Sequence, residues 1–404
     1  MNTDSDPFSF AHKILLLRTF RLRHMPTAYY AAKLMSEAGL PVLAVEFGNV
    51  FEKKKRVLED IPRYRIPTPW AALLPRKLRS SAIFFRVLSH LILKIVVFGK
   101  PKLMITHGLP ESCLALALHR LFKIPFISHV HEVLEKASET PFNRWLMRFE
   151  GSALRQAEFL IFPEQGRAAA YRQRYHFQQA VYIAYNCPLR RRKQKTIDLR
   201  TQYRLSQQSL LMAYVGGIGE TNALMEAIEA VASIPNLYFF LAGWAQKDYL
   251  ELLKQKAATL KTGERVFFLG EIEDKWSLLD NVDILYCVYR PLTLRTKHLA
   301  TASNKLTEAM AAGLPVITTS NPDFKEIIDK YDIGICVKEI APDDIAQAVQ
   351  ELCKPGEIMR KSRNASHCHS EVFNYEQQFA PIMERISALF GNEPDLVRCS
   401  SGYQ

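Results

Sequence analysis

Residues 303–319 read Ser303-Asn304-Lys305-Leu306-Thr307-Glu308-Ala309-Met310-Ala311-Ala312-Gly313-Leu314-Pro315-Val316-Ile317-Thr318-Thr319. Ser303 or Asn304 suits a helix N-cap. Leu306, Ala309 and Met310 recur at three- and four-residue spacing and give one apolar helix face. Gly313 favours a left-handed helix end, and Pro315 cannot continue the helix. Val316, Ile317 and Thr318 are β-branched and start a strand. The stretch therefore reads as helix, tight turn and strand. Glu308 lies one turn inside that helix, where a carboxylate either faces a ligand over the sheet edge or is simply solvated.

The chain around this stretch has 404 residues, 48% of them hydrophobic, which points to two globular domains. A formal net charge of +12 favours anionic partners such as membrane lipid or a phosphorylated substrate. No nucleic-acid-binding module is recognisable, so nucleic acid is not read as a partner. Seven scattered cysteines argue against a disulfide framework and for a reducing compartment. The first ten residues lack the order of a signal peptide, so a cytoplasmic location is expected.

In the amino-terminal half, Lys13 to Leu17, Ala28 to Glu37 and Val42 to Phe47 read as strand, helix and strand, a βαβ unit of a parallel sheet. Arg18, Arg21 and Arg23 follow the first strand and suit either a phosphate or solvent. Residues 70–98 carry an apolar run in which Arg86, His90 and Lys94 share one helix face. The run is too often interrupted for a spanning segment. It reads as an interfacial helix on anionic lipid, or as an ordinary helix packed on its sheet. Phe126 to Glu132 is strand and loop. Alternation puts His129 and His131 on one side near the carboxyl edge, where open sheets bind ligands. His-x-His-Glu alone lacks a further metal ligand and the HExxH spacing. In the helix Asn143 to Ala157, Trp145, Leu146, Phe149 and Leu154 form the expected apolar face. Arg190 to Lys195 is a basic run that suits a phosphate-rich surface or solvent.

In the carboxyl-terminal half, strand Leu210 to Val215, the loop Gly216-Gly217-Ile218-Gly219 and a helix from Asn222 place free backbone N–H groups over a sheet. Further strands are read at Leu237 to Ala242, Val266 to Leu269, Val282 to Tyr289 and Gly334 to Val337, and Asp343-Asp344 caps a helix. His367-Cys368-His369 has no matching second pair and receives no ligand role.

Asn304 to Ile317 resembles the donor-site segment of glycosyltransferase family 4. The resemblance implies an α/β chain of the GT-B fold, with two Rossmann-like parallel-sheet domains facing across a cleft. An acceptor-side domain over 1–195, joined by the C-terminal helix 374–390, precedes a nucleotide-sugar domain over 196–372, and 373–404 holds that crossover helix and a loose tail. By resemblance Glu308 accepts hydrogen bonds from ribose hydroxyls, and the helix start at Asn304 and Lys305 faces the diphosphate. Ala300 stands where many members carry a second Glu, which matches a shorter donor-helix variant. Gly216 and Gly217 match the first donor loop, and Gly243 and Glu271 match segments near the base. The Arg and Lys that often follow the first loop are replaced by Glu220, Thr221 and Asn222. Lys305, Arg290, Arg295, Lys297, Arg21 and Arg23 are candidates for the missing charge. His131 and Glu132 match the strand end near the transferred sugar and acceptor, with His107 beside them. Asn186 matches an exit that closes the first domain. His131, Glu132 and Lys305 are thus the candidate catalytic residues. The implied activity is retaining transfer of a hexose-type sugar from a nucleoside diphosphate sugar to a glycan or lipid-linked acceptor in surface polysaccharide synthesis. No metal and no cofactor beyond the donor are implied. An anionic membrane surface is a further candidate partner, which would put the protein at the inner face of the membrane. The departures at Ala300 and Glu220–Asn222 also fit a nucleotide-sugar-binding protein with weak or no catalysis.

Overall fold

The computed structural model describes residues 9–19, 25–48, 61–131, 140–194, 198–292, 294–297 and 299–390. The chain divides into two compact units, Met1–Tyr185 with Gln378–Gln404, and Asn186–Gln377. Each is built on a parallel sheet flanked by helices, and this is the GT-B architecture.

The strands of the first unit are β1 (Ile14–Thr19), β2 (Val42–Gly48), β3 (Arg63–Pro67), β4 (Leu103–Thr106), β5 (Phe126–His129), β6 (Leu160–Phe162) and β7 (Val181–Ile183). Its helices are α1 (Pro26–Glu37), α2 (Arg76–Phe98), α3 (Leu109–Phe122), α4 (Pro141–Gln156) and α5 (Gln165–Tyr175). The sheet order is β3-β2-β1-β4-β5-β6-β7. Every strand pair is parallel, so each connection crosses over a face and both faces are covered. The apolar runs Ile14–Leu17 and Leu103–Ile105 are accordingly buried throughout. From β1 the chain first winds outward to β2 and β3, then returns to β4 on the other side. That reversal opens a crevice beyond the ends of β1 and β4.

The second unit repeats the plan. Its strands are β8 (Leu210–Val215), β9 (Leu237–Ala242), β10 (Val266–Gly270), β11 (Ile284–Cys287), β12 (Val316–Thr319) and β13 (Gly334–Val337), in the order β10-β9-β8-β11-β12-β13. Its helices are α6 (Leu199–Gln202), α7 (Leu224–Ser233), α8 (Lys247–Thr259), α9 (Lys275–Leu279), α10 (Leu294–Lys297), α11 (Asn304–Ala312), α12 (Pro322–Tyr331), α13 (Pro342–Leu352) and α14 (Glu357–Glu371). The reversal here lies between β8 and β11. The last helix, α15 (Tyr375–Phe390), starts in the second unit and belongs to the first from Gln378 onward.

Several local expectations are corrected. Ser303 occupies the N-cap of α11, but its hydroxyl makes no cap; it meets the Tyr289 hydroxyl at 2.8 Å. Ala341, not Asp343, caps α13, and Asp343 and Asp344 sit in its first turn, where the helix dipole favours them. His367 to His369 lies inside α14 instead of preceding a helix, and buried His369 bonds the Phe373 carbonyl at 2.9 Å. On α4 the buried residues include Leu146, Met147 and Leu154, while Trp145 and Phe149 are each 37% exposed. The six cysteines among the described residues are free.

Arg191 also departs from its reading as part of a solvated run. Its guanidinium forks onto Asp280 at 2.8 and 2.5 Å, stacks 4.0 Å from the Trp276 ring centroid and reaches the Ala311 carbonyl at 3.3 Å. Asp280 is 1% exposed, so removing the cation leaves a buried charge unpaired. Arg191→Ala should therefore cost about 3–5 kcal/mol in urea unfolding. Lys325→Ala, which breaks the exposed Lys325–Asp329 pair, should cost under about 1 kcal/mol. Equal losses from the two substitutions would contradict the buried-pair account.

Candidate active site

In the second unit the crevice beyond β8 and β11 is shaped by glycines. The ladder continues past the strand ends: Gly216 N donates to Ala242 O at 2.9 Å, Gly243 N to Gly270 O at 2.7 Å and Ile218 N to Trp244 O at 2.8 Å. A Cβ on Gly243 would stand 1.8 Å from Gly216 O, closer than any real contact. Gly216 (φ +141) and Gly243 (φ +144) also hold backbone angles that side chains rarely adopt. A Cβ on Gly216 would lie 2.8 Å from Cε and 2.9 Å from Nζ of Lys305. The Gly216–Gly217 loop and the first turn of α11 therefore meet at Lys305.

Lys305 Nζ donates to the Tyr289 hydroxyl at 2.7 Å and lies 4.8 Å from the ring centroids of both Tyr214 and Tyr289. The Tyr214 hydroxyl in turn donates to the Gly217 carbonyl. With its amide turned to donate, Asn222 reaches Gly217 O at 3.0 Å and Gly219 O at 3.3 Å. The residue in a position expected to hold charge thus braces the loop backbone. Of the other candidate cations, Arg290 pairs with Glu226, Lys297 is exposed, and nothing is described of the Arg295 side chain. Arg21 and Arg23 lie outside the described residues.

Glu308 is 6% exposed and accepts from Lys275 Nζ at 2.5 Å. It is not the solvated helix residue that pattern alone allows. Lys275 opens α9 and has no signal in the sequence that links it to Glu308. Asn304 is exposed at the first turn of α11, and Glu271 is exposed just beyond edge strand β10, with β9 between it and β8. Gly216, Gly243 and Lys305 are brought together; Glu271 has no described contact with them. Asn186 falls in the second unit instead of closing the first. Its amide donates to Ala302 O at 2.8 Å, its N–H to Thr301 O at 2.9 Å, and its carbonyl accepts from Thr307 Oγ1 at 2.6 Å. It ties down the segment that delivers α11.

In the first unit three histidines converge at the ends of β4 and β5. His107 Nδ1 and His131 Nε2 are 2.9 Å apart, and the His129 and His131 ring centroids are 3.8 Å apart. One nitrogen from each of the three rings falls within 4.8 Å of the others, so His107 supplies the third donor that the sequence pattern lacked. Arg167 donates to the His131 carbonyl at 2.8 Å, and Arg18 to the His107 carbonyl at 2.7 Å. Burial foremost, then the neighbouring imidazoles and guanidinia, hold His107 and His131 well below the usual histidine range. His129 is pushed down to about 3 by burial. All three rings are neutral at pH 7; His107 and His131 hydrogen-bond to one another, while His129 packs against them. Glu132 lies outside the described residues.

Residues 26–186 match the family described as Glycosyl transferase 4-like domain, and residues 196–367 match Glycosyl transferases group 1. The chain belongs to the GT-B glycosyltransferase superfamily. No curated protein matches this glycosyltransferase in sequence. Solved structures similar to it include sucrose-phosphate synthase from Thermosynechococcus elongatus, at 16% identity and a TM-score of 0.72, covering 94% of this chain and 99% of that one. Anabaena HepE in complex with UDP is 17% identical with a TM-score of 0.72, covering 93% and 100%. WaaG, a glycosyltransferase involved in lipopolysaccharide biosynthesis, is 16% identical with a TM-score of 0.63, covering 93% and 99%. At these identities the likeness shows the shared fold.

The histidine cluster predicts an acid response of this glycosyltransferase. Folded His129 stays neutral while the unfolded chain takes up a proton below pH 6.5, so stability is highest above 6.5 and is lost as pH falls towards about 3. Neither ring nitrogen of His129 has a hydrogen-bond partner among the described residues. His129→Phe should keep the fold and reduce the pH slope of unfolding free energy between 6 and 4.5 by up to about 1.4 kcal/mol per pH unit. An unchanged slope in urea titrations would refute this.

Proposed function

We propose that the chain is a retaining glycosyltransferase that moves a hexose-type sugar from a nucleoside diphosphate sugar to a glycan or lipid-linked acceptor in surface polysaccharide synthesis. The observation that carries the reading is the convergence of the Gly216–Gly217 loop, Lys305 and the first turn of α11 at the carboxyl edge of the second sheet. A helix start and an ammonium suit a diphosphate whose charge grows as the sugar leaves, whereas the Gly216 and Ile218 N–H groups are taken by the Ala242 and Trp244 carbonyls. Glu308 offers two acceptor oxygens to vicinal ribose hydroxyls, with Lys275 holding it in place. The solved complex of Anabaena HepE with UDP-glucose supports a uridine donor, and the involvement of WaaG in lipopolysaccharide biosynthesis supports a surface-glycan acceptor. His131 presents a neutral imidazole to sugar or acceptor. No metal or further cofactor enters this reading.

The second reading is a nucleotide-sugar-binding protein with weak or no catalysis. It is favoured by Arg290, whose charge is offset by Glu226, and by Asn222, a neutral side chain that braces the loop and brings no cation to it. Sugar release from UDP-glucose, assayed with and without membrane extract as acceptor source, separates the two.

Peripheral membrane association belongs to the leading reading. α2 is long and apolar enough to cross a membrane, yet Phe84, Val87, Leu91 and Ile95 are buried in the first unit. Its outer side exposes Leu78, Phe85, Leu93, Val96 and Val97 beside exposed Lys77 and Arg86. His90 and Lys94 are occupied at Tyr64: His90 Nε2 is 2.6 Å from its hydroxyl, and Lys94 Nζ is 5.1 Å from its ring centroid. Arg79 donates to the Leu74 and Ala72 carbonyls. Lys77 and Arg86 are therefore the cations to test. The Lys77→Gln/Arg86→Gln protein should bind anionic vesicles more weakly than native, and native binding should fall with salt. Equal binding of both proteins to neutral and anionic vesicles would exclude this membrane contact.

For the donor site, Glu308→Gln should weaken UDP binding in calorimetry and Glu308→Ala should weaken it more. Charge-assisted hydrogen bonds contribute roughly 1.5–3 kcal/mol each, about ten- to more than a hundredfold in affinity. The loss should largely vanish with 2′-deoxy-UDP, which has fewer hydroxyls to lose. Unchanged UDP affinity in Glu308→Ala would remove Glu308 from the donor site.

A further inference from the structure

Three histidines meet where two neighbouring strands end. β4 and β5 pair in parallel with Thr106 opposite Ser128, so the next rung sets His107 beside His129, and alternation returns His131 to the same side. All three are buried, and one nitrogen from each ring lies within 4.8 Å of the other two. Polar atoms in a core normally find hydrogen-bond partners. Elsewhere in the chain, His119 and His369 do so through Nδ1, at 2.9 Å from the Ile124 and Phe373 carbonyls. Within the cluster, His107 Nδ1 and His131 Nε2 have one another at 2.9 Å. His129 is different: Nδ1 and Nε2 are both without a partner among the described residues. Whichever of the two belongs to the triple, it is a buried polar atom inside the cluster with no hydrogen bond.

We propose that His107, His129 and His131 form a binding site for an imidazole-preferring transition-metal ion such as Zn²⁺, which braces the ends of β4 and β5. Three imidazole nitrogens with no carboxylate among them suit zinc, copper or nickel; magnesium and calcium take oxygen ligands. Zinc–nitrogen bonds of about 2.0–2.1 Å set tetrahedral donors about 3.3 Å apart. The 2.9 Å pair and the 4.8 Å limit bracket that spacing, so the donors stand close enough to close on one ion. The proton between His107 and His131 then shifts to the other nitrogen of its ring, and each ring gives a lone pair. Three protein donors leave a fourth position, which water fills in open zinc sites. His107 and His131 line a cavity of about 480 Å³, which supplies that water and a path for the ion. The backbone of two ligands is already held: Arg18 donates to the His107 carbonyl at 2.7 Å and Arg167 to the His131 carbonyl at 2.8 Å. Glu111, 3.8 Å from Arg18, offsets one of these cations. The site is independent of the donor groups in the second unit and goes beyond the transfer reading, into which no metal enters.

The test uses the untagged full chain, stripped with chelator and titrated with CoCl₂ and ZnCl₂. Native protein should take up one ion per chain. Bound Co²⁺ should show the intense visible bands of a four-coordinate ion, and added Zn²⁺ should remove them. Zinc should raise the thermal unfolding midpoint, and EDTA should reverse the shift. His129→Phe, which keeps a ring in the same space, and His131→Asn should each lose zinc affinity by more than about a hundredfold, since changes one shell further out already cost about 10–100-fold. His367→Gln, at an exposed histidine of α14, should bind as native protein does. Circular dichroism checks the fold of each variant. Native protein that binds neither ion, or shows only the weak bands of six-coordinate Co²⁺, overturns the proposal whatever the variants do. So does undiminished binding in folded His129→Phe or His131→Asn, which would put the ion on surface groups.

Discussion

The second unit depends on one close approach, the Gly216 carbonyl against Gly243. Two neighbouring parallel strands end side by side, and their ladder continues one residue further than their side chains would permit. Only residues without a Cβ can sit there. This opens space beyond β8 for Lys305, which crosses from α11 to the loop and rests between two tyrosine rings. The tyrosines have further duties: Tyr214 holds the Gly217 carbonyl and Tyr289 holds Ser303. Loop, lysine and helix start form one interlocked edge, so its geometry is set before any ligand arrives.

The first unit solves a different problem at the same topological position. At its β1–β4 edge Gly108 (φ +150) leaves room for Glu111, and Arg18 and Glu111 seal the edge by tying the end of β1 to the end of β4 and the start of α3. Behind this seal a hydroxyl chain runs from Thr106 through Ser112 to Ser128, each step 2.9 Å. Three imidazoles are packed next to it, neutral because solvation of their charged forms is lost. Groups that hydrogen-bond without carrying charge suit the uncharged hydroxyls of a sugar, whereas the second unit's lysine and helix start suit a diphosphate.

Buried ion pairs fix elements that would otherwise hang loosely. Asp280 gathers Arg191 and the Gln194 N–H, and so anchors the chain leading into the second unit. Lys275 joins α9 to α11 through Glu308, two helices far apart in sequence. Such pairs add geometry more than net stability, since desolvation offsets much of their attraction. Their effect is to hold a carboxylate or a segment in one orientation.

Much of this was legible from sequence by itself. Alternating apolar strands and helical periods gave the parallel α/β plan. Asn304 to Ile317 and Gly216 to Gly219 marked the helix start and loop at the second sheet's edge, because capping, turn and backbone-approach signals are local. The pairing of Lys275 with Glu308, the reach of Lys305 to Gly216 and the third histidine at His107 were not legible as contacts, because each joins residues from separate strand–helix units. Nor could pattern distinguish Arg191, buried against Asp280 and Trp276, from its solvated neighbours, or tell that Trp145 and Phe149 turn outward from α4. A periodic pattern names a face but not what lies against it. Sheet order decides that, since it alone determines which strand ends become neighbours.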